Sequence, residues 1–250
     1  MMNKAFSPDK QFGFSLVEMA MVLMILGILL SGVLVAVGDS TDSIRISNAR
    51  TQLESIEEAL YGFAQANGRL PCPATNTSDG EEAPLGGGAC TNNFGLLPNV
   101  TLGLFGAINE DGLLLDPWQN PYRYAVSPYT TVGGGVRAFT TTAGMQELFN
   151  DNELAAGANM IRVCNINDCS DITLSDTVPA IVVSMGDNWA TSISVNETEN
   201  SIEATMGAYN VPNDITFVDT EYNEDSFDDE LHWLSPHILF SRLIQAGQLP

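Results

Sequence analysis

The sequence predicts an α+β chain: one long N-terminal α-helix, a hydrophobic stem followed by an amphipathic half, packed on a small antiparallel-sheet head. Three observations predict it. Phe14–Val37 is an apolar run, with no charged residue from Met19 to Val37. Beyond it, apolar residues recur at Ala49, Leu53, Ile56, Leu60 and Phe63, the four-and-three spacing of one helical face. The remainder, 67–250, holds short β-rich runs separated by Gly and Pro turns.

At ~1.5 Å per residue, Met19–Val37 spans about 28 Å, close to the apolar thickness of a bilayer. It is the one such run in the chain, which excludes a multi-pass transporter. A secretory signal peptide has an apolar region of about 7–15 residues. This run is longer, and helical periodicity continues behind it. An ordinary anchor gives no reason for Glu18 inside the apolar segment; an acid there asks for a partner.

The second half of the helix sets Arg50, Gln52, Glu54, Ser55, Glu57 and Glu58 opposite the apolar stripe, so its apolar face should lie on the head. Asn67-Gly68 is a stop signal, and Pro71 and Pro73 prevent continuation. A helix from Phe14 to Ala66 would be roughly 80 Å long, more than one small domain can bury, so it belongs to an assembly. The chain divides accordingly into a polar start (1–13), the helix (14–66) and a globular head (67–250).

In the head, Tyr122–Val126, Val136–Thr142, Met160–Cys164 and Ala180–Met185 read as strands, the last as a central buried one. Helical signal returns at Gln146–Leu154 and Ser235–Ala246. The glycine clusters lack the Lys-Ser/Thr of a phosphate loop and read as turns. The acid-rich stretch Asp219–Glu230 lacks the spacing of a calcium loop and reads as an exposed charged loop.

With 9 Lys+Arg against 31 Asp+Glu and a net charge of -22, the chain is not built to bind nucleic acid. The four cysteines suit an oxidising compartment. The simplest pairing is Cys72 with Cys90 and Cys164 with Cys169, although three connectivities are open. No enzymatic activity is expected. His232 and His237 are the only histidines, they do not share a helical face, and no G-x-S-x-G or H-E-x-x-H is present.

Gly13-Phe14-Ser15-Leu16-Val17-Glu18 and the apolar run behind it closely resemble the class III signal of the type IV pilin-like prepilins. The resemblance implies that prepilin peptidase cuts after Gly13 and that Phe14 becomes the N-methylated first residue. Residues 1–13 are then a cleaved leader. Glu18 falls at the fifth mature position, where the family uses the acid to neutralise a neighbouring subunit's terminal amine during filament assembly. Two charges in a dry helix bundle are tolerable only as a pair. Many pilins carry a proline where Val35 stands, so no proline kink is expected here.

Asp116-Pro117-Trp118-Gln119-Asn120-Pro121-Tyr122-Arg123-Tyr124 resembles the D-P-W-G-x-P-Y-x-Y motif of major pseudopilins of type II secretion, with Gln119 in place of the usual Gly. In that family a downstream loop binds calcium. The corresponding stretch is Ser184–Asn188, with Asp187 and Asn188 as candidate ligands and further acids at Glu197, Glu199 and Glu203. RLPCPA (Arg69–Ala74) and the C-terminal FDDELHWLSPHILFSRLIQAGQLP are similar to a group of large prepilin-like proteins. The resemblance implies a structural subunit, a minor pilin of a type IV pilus, with a type II secretion pseudopilin or a tip-displayed adhesin as alternatives. Its partners would be prepilin peptidase, other pilin or pseudopilin subunits and, before assembly, the inner membrane. The precursor would span that membrane once with its head periplasmic, then enter a pilus or periplasmic filament.

Overall fold

The computed structural model describes residues 15–133, 135–151, 160–189, 194–201, 216–223 and 226–250, with backbone alone at 29–41. The leader 1–13 with Gly13, Phe14, and the acids Glu203, Glu224 and Asp225 lie outside the described residues. The chain forms two compact units, Met1–Ile44 and Arg45–Pro250. Helix α1 (Leu16–Asn67) runs through the boundary between them. Where the sequence suggests a division at residue 67, the second unit begins inside the helix, because one face of it, from Ala49 to Ala64, is buried with the head.

In this second unit Ala49, Leu53, Ile56 and Leu60 are all fully buried, as their spacing requires. The stripe then continues through Tyr61 and Ala64 instead of Phe63. Phe63 stays at the rim, where the Arg69 guanidinium lies over its ring at 5.2 Å. Each fully buried Leu or Ile here contributes about 1.5–3 kcal/mol. The helix ends where Gly68, at φ 67°, turns left-handed and donates its N–H to the Ala64 carbonyl at 2.7 Å.

Four strands, β1 (Phe94–Leu96), β2 (Arg123–Val126), β5 (Ala180–Ser184) and β7 (Glu230–Trp233), form an antiparallel sheet in the order β1-β2-β5-β7. A second sheet of β3 (Ile161–Cys164), β4 (Thr173–Val178) and β6 (Thr216–Val218) runs β4-β3-β6, with β3 and β6 parallel. The first sheet lies between two cores. Tyr124, Val126 and Val182 face Leu53, Ile56 and Leu60 of α1. Ala125, Ile181 and Val183 face Ile161, Val163 and Phe217 of the second sheet. That double burial is why β5 is buried at every position, with apolar residues from Ala180 to Val183 and not at every second one.

Among the described residues the unit also has three short helices: α2 (Thr142–Asn150), α3 (Val195–Ser201) and α4 (Pro236–Gln245). The expected strand Val136–Thr142 does not form. Arg137 makes one bridge to Thr130, and Thr141 then caps α2, its hydroxyl accepting from Gly144 N at 3.0 Å, so the chain turns into a helix four residues before the sequence suggests one. Cys72 is bonded to Cys90 and Cys164 to Cys169.

Candidate functional site

Two regions carry chemistry that fold maintenance alone does not explain. The first is the start of α1. Every described side chain from Ser15 to Ile28 is exposed, including Leu16 at 87%, Leu23 at 67% and Met24 at 69%. A helix that is apolar all round needs a lipid or protein environment. Glu18 sits in the first turn of this helix, where the free N–H groups and the helix dipole favour a negative charge. Among the described residues no helix is long and apolar enough to cross a membrane. The expected span Met19–Val37 runs into 29–41, whose side chains lie outside the described residues.

The second region is the loop after β5. Asp116, in the Asp-Pro-Trp turn, is buried and accepts from Trp118 N at 2.9 Å, Asn120 N at 2.8 Å and the Ser184 hydroxyl at 2.7 Å. Asn120 donates its side-chain amide to the Gly186 carbonyl at 2.6 Å. One turn thus fastens the end of β5. Gln119 takes φ 72°, the left-handed region. This is why a glycine suits the position; a residue with a Cβ pays roughly 1 kcal/mol to stand there. Gly186 is left-handed at φ 59°, and a Cβ there would collide with the Asp228 carboxyl.

Asp228 closes the loop from the other side. Its Oδ2 accepts from Asp187 N at 2.7 Å and Asn188 N at 3.3 Å. Glu197, the acid in the first turn of α3, accepts from Asn188 Nδ2 at 3.0 Å, Ser194 N at 3.1 Å and Asp228 N at 3.3 Å. Asn200 donates to Asp229 at 2.9 Å and to the Val218 carbonyl at 2.9 Å. Glu197, Asp228 and Asp229 are at most 4% exposed. The expectation that Asp219–Glu230 is an exposed loop therefore fails at its end: backbone amides of the β5 loop and the Asn200 side chain draw Asp228 and Asp229 inside. Burial pushes the Asp229 carboxyl up to about 8, with the neighbouring Asp228 and Glu197 adding to it against the Asn200 hydrogen bond. Burial also raises Asp228 and Asp116.

A calcium ion needs six to eight oxygens at about 2.3–2.6 Å. The described residues do not supply such a shell. Asp187 is exposed and takes part through its N–H, Asn188 gives N–H groups, and Glu197 spends both oxygens on N–H donors. Asp228 Oδ1 is buried without a hydrogen-bond partner. Among the described residues no group of three or more His, Cys, Asp or Glu is arranged to hold a metal. Sequence reasoning misses Asp116, Asn120 and Asp228 in this role; the signal lies in the Asx-turn at Asp116 and in Gly186, both legible only once their partners are known.

The chain's end is strapped to α1. Arg50 makes a two-pronged contact with Glu230 at 2.9 and 2.7 Å, Arg242 reaches Glu58 at 2.9 Å, and His232 Nδ1 lies 3.2 Å from Glu57. Tyr61 OH accepts from Ser235 N at 3.0 Å. The polar residues of α1 thus dock β7 and α4 while its apolar stripe fills the core.

An apolar, exposed helix start on a chain whose helix continues into an antiparallel-sheet head defines a pilin-like subunit. The model of the prokaryotic N-terminal methylation motif matches residues 8–34. The type II secretion system core protein G of Pseudomonas aeruginosa is 30% identical over 156 residues, which cover 59% of this chain and 94% of that protein. No solved structure matches the chain. The chain belongs to the family of class III prepilin-like proteins that includes this core protein G, and it is a structural subunit of the pilin or pseudopilin type.

Proposed function

We propose that this chain is a minor subunit of a type IV pilus-like filament, cut after Gly13 by prepilin peptidase, methylated at Phe14 and assembled through Glu18. The observation that carries the reading is the exposed apolar start of α1, which has no use in a free protein and matches a stem that moves from the inner membrane into a filament core. The head supports a minor role. Core protein G is nearly covered by the match, yet 59% of this chain suffices to cover it, so much of this head is additional. A heavy head limits close helical packing of many copies. The reading assigns the chain no enzymatic activity, no nucleic-acid partner, and a precursor with its head in the periplasm. The test is the N-terminal peptide of the protein in a sheared filament fraction.

A second reading, a pseudopilin of a type II secretion filament, is favoured by the likeness to core protein G and by the Asp116–Tyr124 turn. The two readings share the stem and differ in the machine that drives it. Deleting this chain separates them: the secretion reading expects the exported substrates to accumulate in the periplasm when it is missing, and the pilus reading does not.

We further propose that the β5 loop is closed without a metal, its carboxylates held by N–H donors in place of a cation. Melting of the full chain in detergent with excess EDTA and then with excess calcium should give the same Tm within about 1 °C. A calcium-dependent rise of several degrees, on the order of what saturating a ligand site produces, would overturn this.

A further inference from the structure

We propose that the lobe around Phe105 is the docking surface for a neighbouring filament subunit of a different kind, one with a basic face, and not for a second copy of this chain. The inference rests on the filament reading above. Phe105 is 97% exposed, and Ile108 at 58% and Val100 at 50% lie in the same lobe. Phe105 is held in place on both sides. Leu104 N donates to the Asn99 carbonyl at 2.9 Å, and the Ala107 carbonyl accepts from Leu115 N at 2.8 Å. Asn99 ties these turns together, donating to the Gly112 carbonyl at 3.0 Å and accepting from Leu114 N at 3.4 Å. A large aromatic side chain standing in water on a pinned backbone is a placed anchor: its partner need not order the chain that carries it.

The surround of that anchor is acidic. Asp79, Glu81, Glu110 and Asp111 are exposed. Val100 N donates to the Gly80 carbonyl at 2.9 Å, and the Asp79 backbone approaches Gly112, so the turn at 79–81 and the turn at 110–112 flank the same lobe. Between Arg69 and Arg123 there is no Lys, Arg or His at all.

Charge then selects the partner. Of the 31 Asp and Glu, four precede Arg45; of the nine Lys and Arg, the two lysines do. Residues 45–250 thus carry 27 acids against seven arginines and no lysine. Arg50, Arg69 and Arg242 are already paired with Glu230, Glu82 and Glu58, and Arg137 donates to the Pro128 carbonyl. A second copy would offer acids to this acidic rim, and like charges facing each other exclude a partner more effectively than most contacts attract one. A basic-faced subunit is drawn to it.

The experiment places a photo-reactive benzoylphenylalanine at position 105 of the full chain in its own cell and irradiates assembled filaments. The expected result is an adduct with another subunit that itself carries an N-terminal methylation motif and an excess of Lys and Arg on its head. The charge-reversed background Glu110→Lys with Asp111→Lys should cut the adduct at least tenfold. Both positions are exposed, so Tm of this background should be unchanged, which separates lost docking from lost folding. An adduct with a second copy of this chain overturns the proposal, and so does its absence from a chain that is present in the filament fraction. A chain never found in that fraction overturns the filament reading as well.

Discussion

Replacing Asp229 by Asn should raise the melting temperature of the full chain at pH 8 by on the order of 5 °C, and leave it nearly unchanged at pH 5. Asp229 is 4% exposed, its carboxyl is pushed up to about 8, and Asn200 is its hydrogen-bond donor. An unfolded Asp titrates near ~3.9. A carboxyl whose folded pKa lies above its unfolded value binds its proton more tightly when folded, so its contribution to stability is full at the acid end and is lost as pH rises from ~3.9 to about 8. Asn cannot lose that proton, and its side-chain oxygen still accepts from Asn200. Asp228 and Asp116 are shifted the same way by burial, so the wild-type head should lose stability across this window more steeply than Asp229 alone dictates. Glu82 opposes the trend. Burial works against it, but its two-pronged pair with Arg69 and the N–H of Cys72 hold it below the usual range. Its contribution is lost only as pH falls below the normal carboxylate range, so maximal stability should lie near pH 5. A flat melting curve from pH 5 to 8, equal in wild type and Asp229→Asn, would contradict the account of this cluster.

Replacing Glu18 by Ala or Val should leave membrane insertion and leader cleavage intact and cut incorporation into filaments by on the order of 100-fold. On the proposed reading, the amine of a neighbouring subunit enters a dry bundle of stems and meets this carboxylate. Removing one member of a buried ion pair costs about 3–5 kcal/mol, because the other charge is left without its partner. At about 1.4 kcal/mol per factor of ten, that is two orders of magnitude or more. Ala and Val are otherwise well suited to the apolar environment, so the precursor should insert at least as readily as wild type. The measurement is the ratio of the protein in the sheared filament fraction to that in the membrane fraction. Equal ratios for variant and wild type would remove Glu18 from assembly.

The spine of the molecule was legible in the sequence because its signal is local. Ala49, Leu53, Ile56 and Leu60 announce one helical face, and all four are buried. The run Ala180–Met185 announces a central buried strand, and two cores meet at β5. The stripe was misread only at Phe63, where a cation from outside the helix, Arg69, covers the ring and leaves Ala64 to point inward. The short strands β1, β6 and β7 were not legible: three or four residues carry too little periodicity, and partners far away in the chain decide them. Val136–Thr142 had the composition of a strand and lost to a local competitor, the cap that Thr141 provides for α2. The loop cluster was the least legible part. Acids such as Asp228 and Asp229 read as surface by type; what draws them inside is the backbone N–H groups of Asp187 and Asn188 for the first and the Asn200 side chain for the second, which no composition reveals. The Asp116 turn was visible as a motif, but that it fastens the end of β5 through Ser184 and Gly186 was not.

The central claim is that this chain enters a filament as a processed subunit, and the N-terminal peptide of the protein from a sheared filament fraction tests it most directly. Mass spectrometry should find a mature chain that begins at Phe14 and carries a methyl group on its amine, with residues 1–13 absent; in cells lacking prepilin peptidase the same peptide should be missing and the chain should stay in the membrane. A mature protein that still begins at Met1 in cells that have the peptidase would contradict the claim.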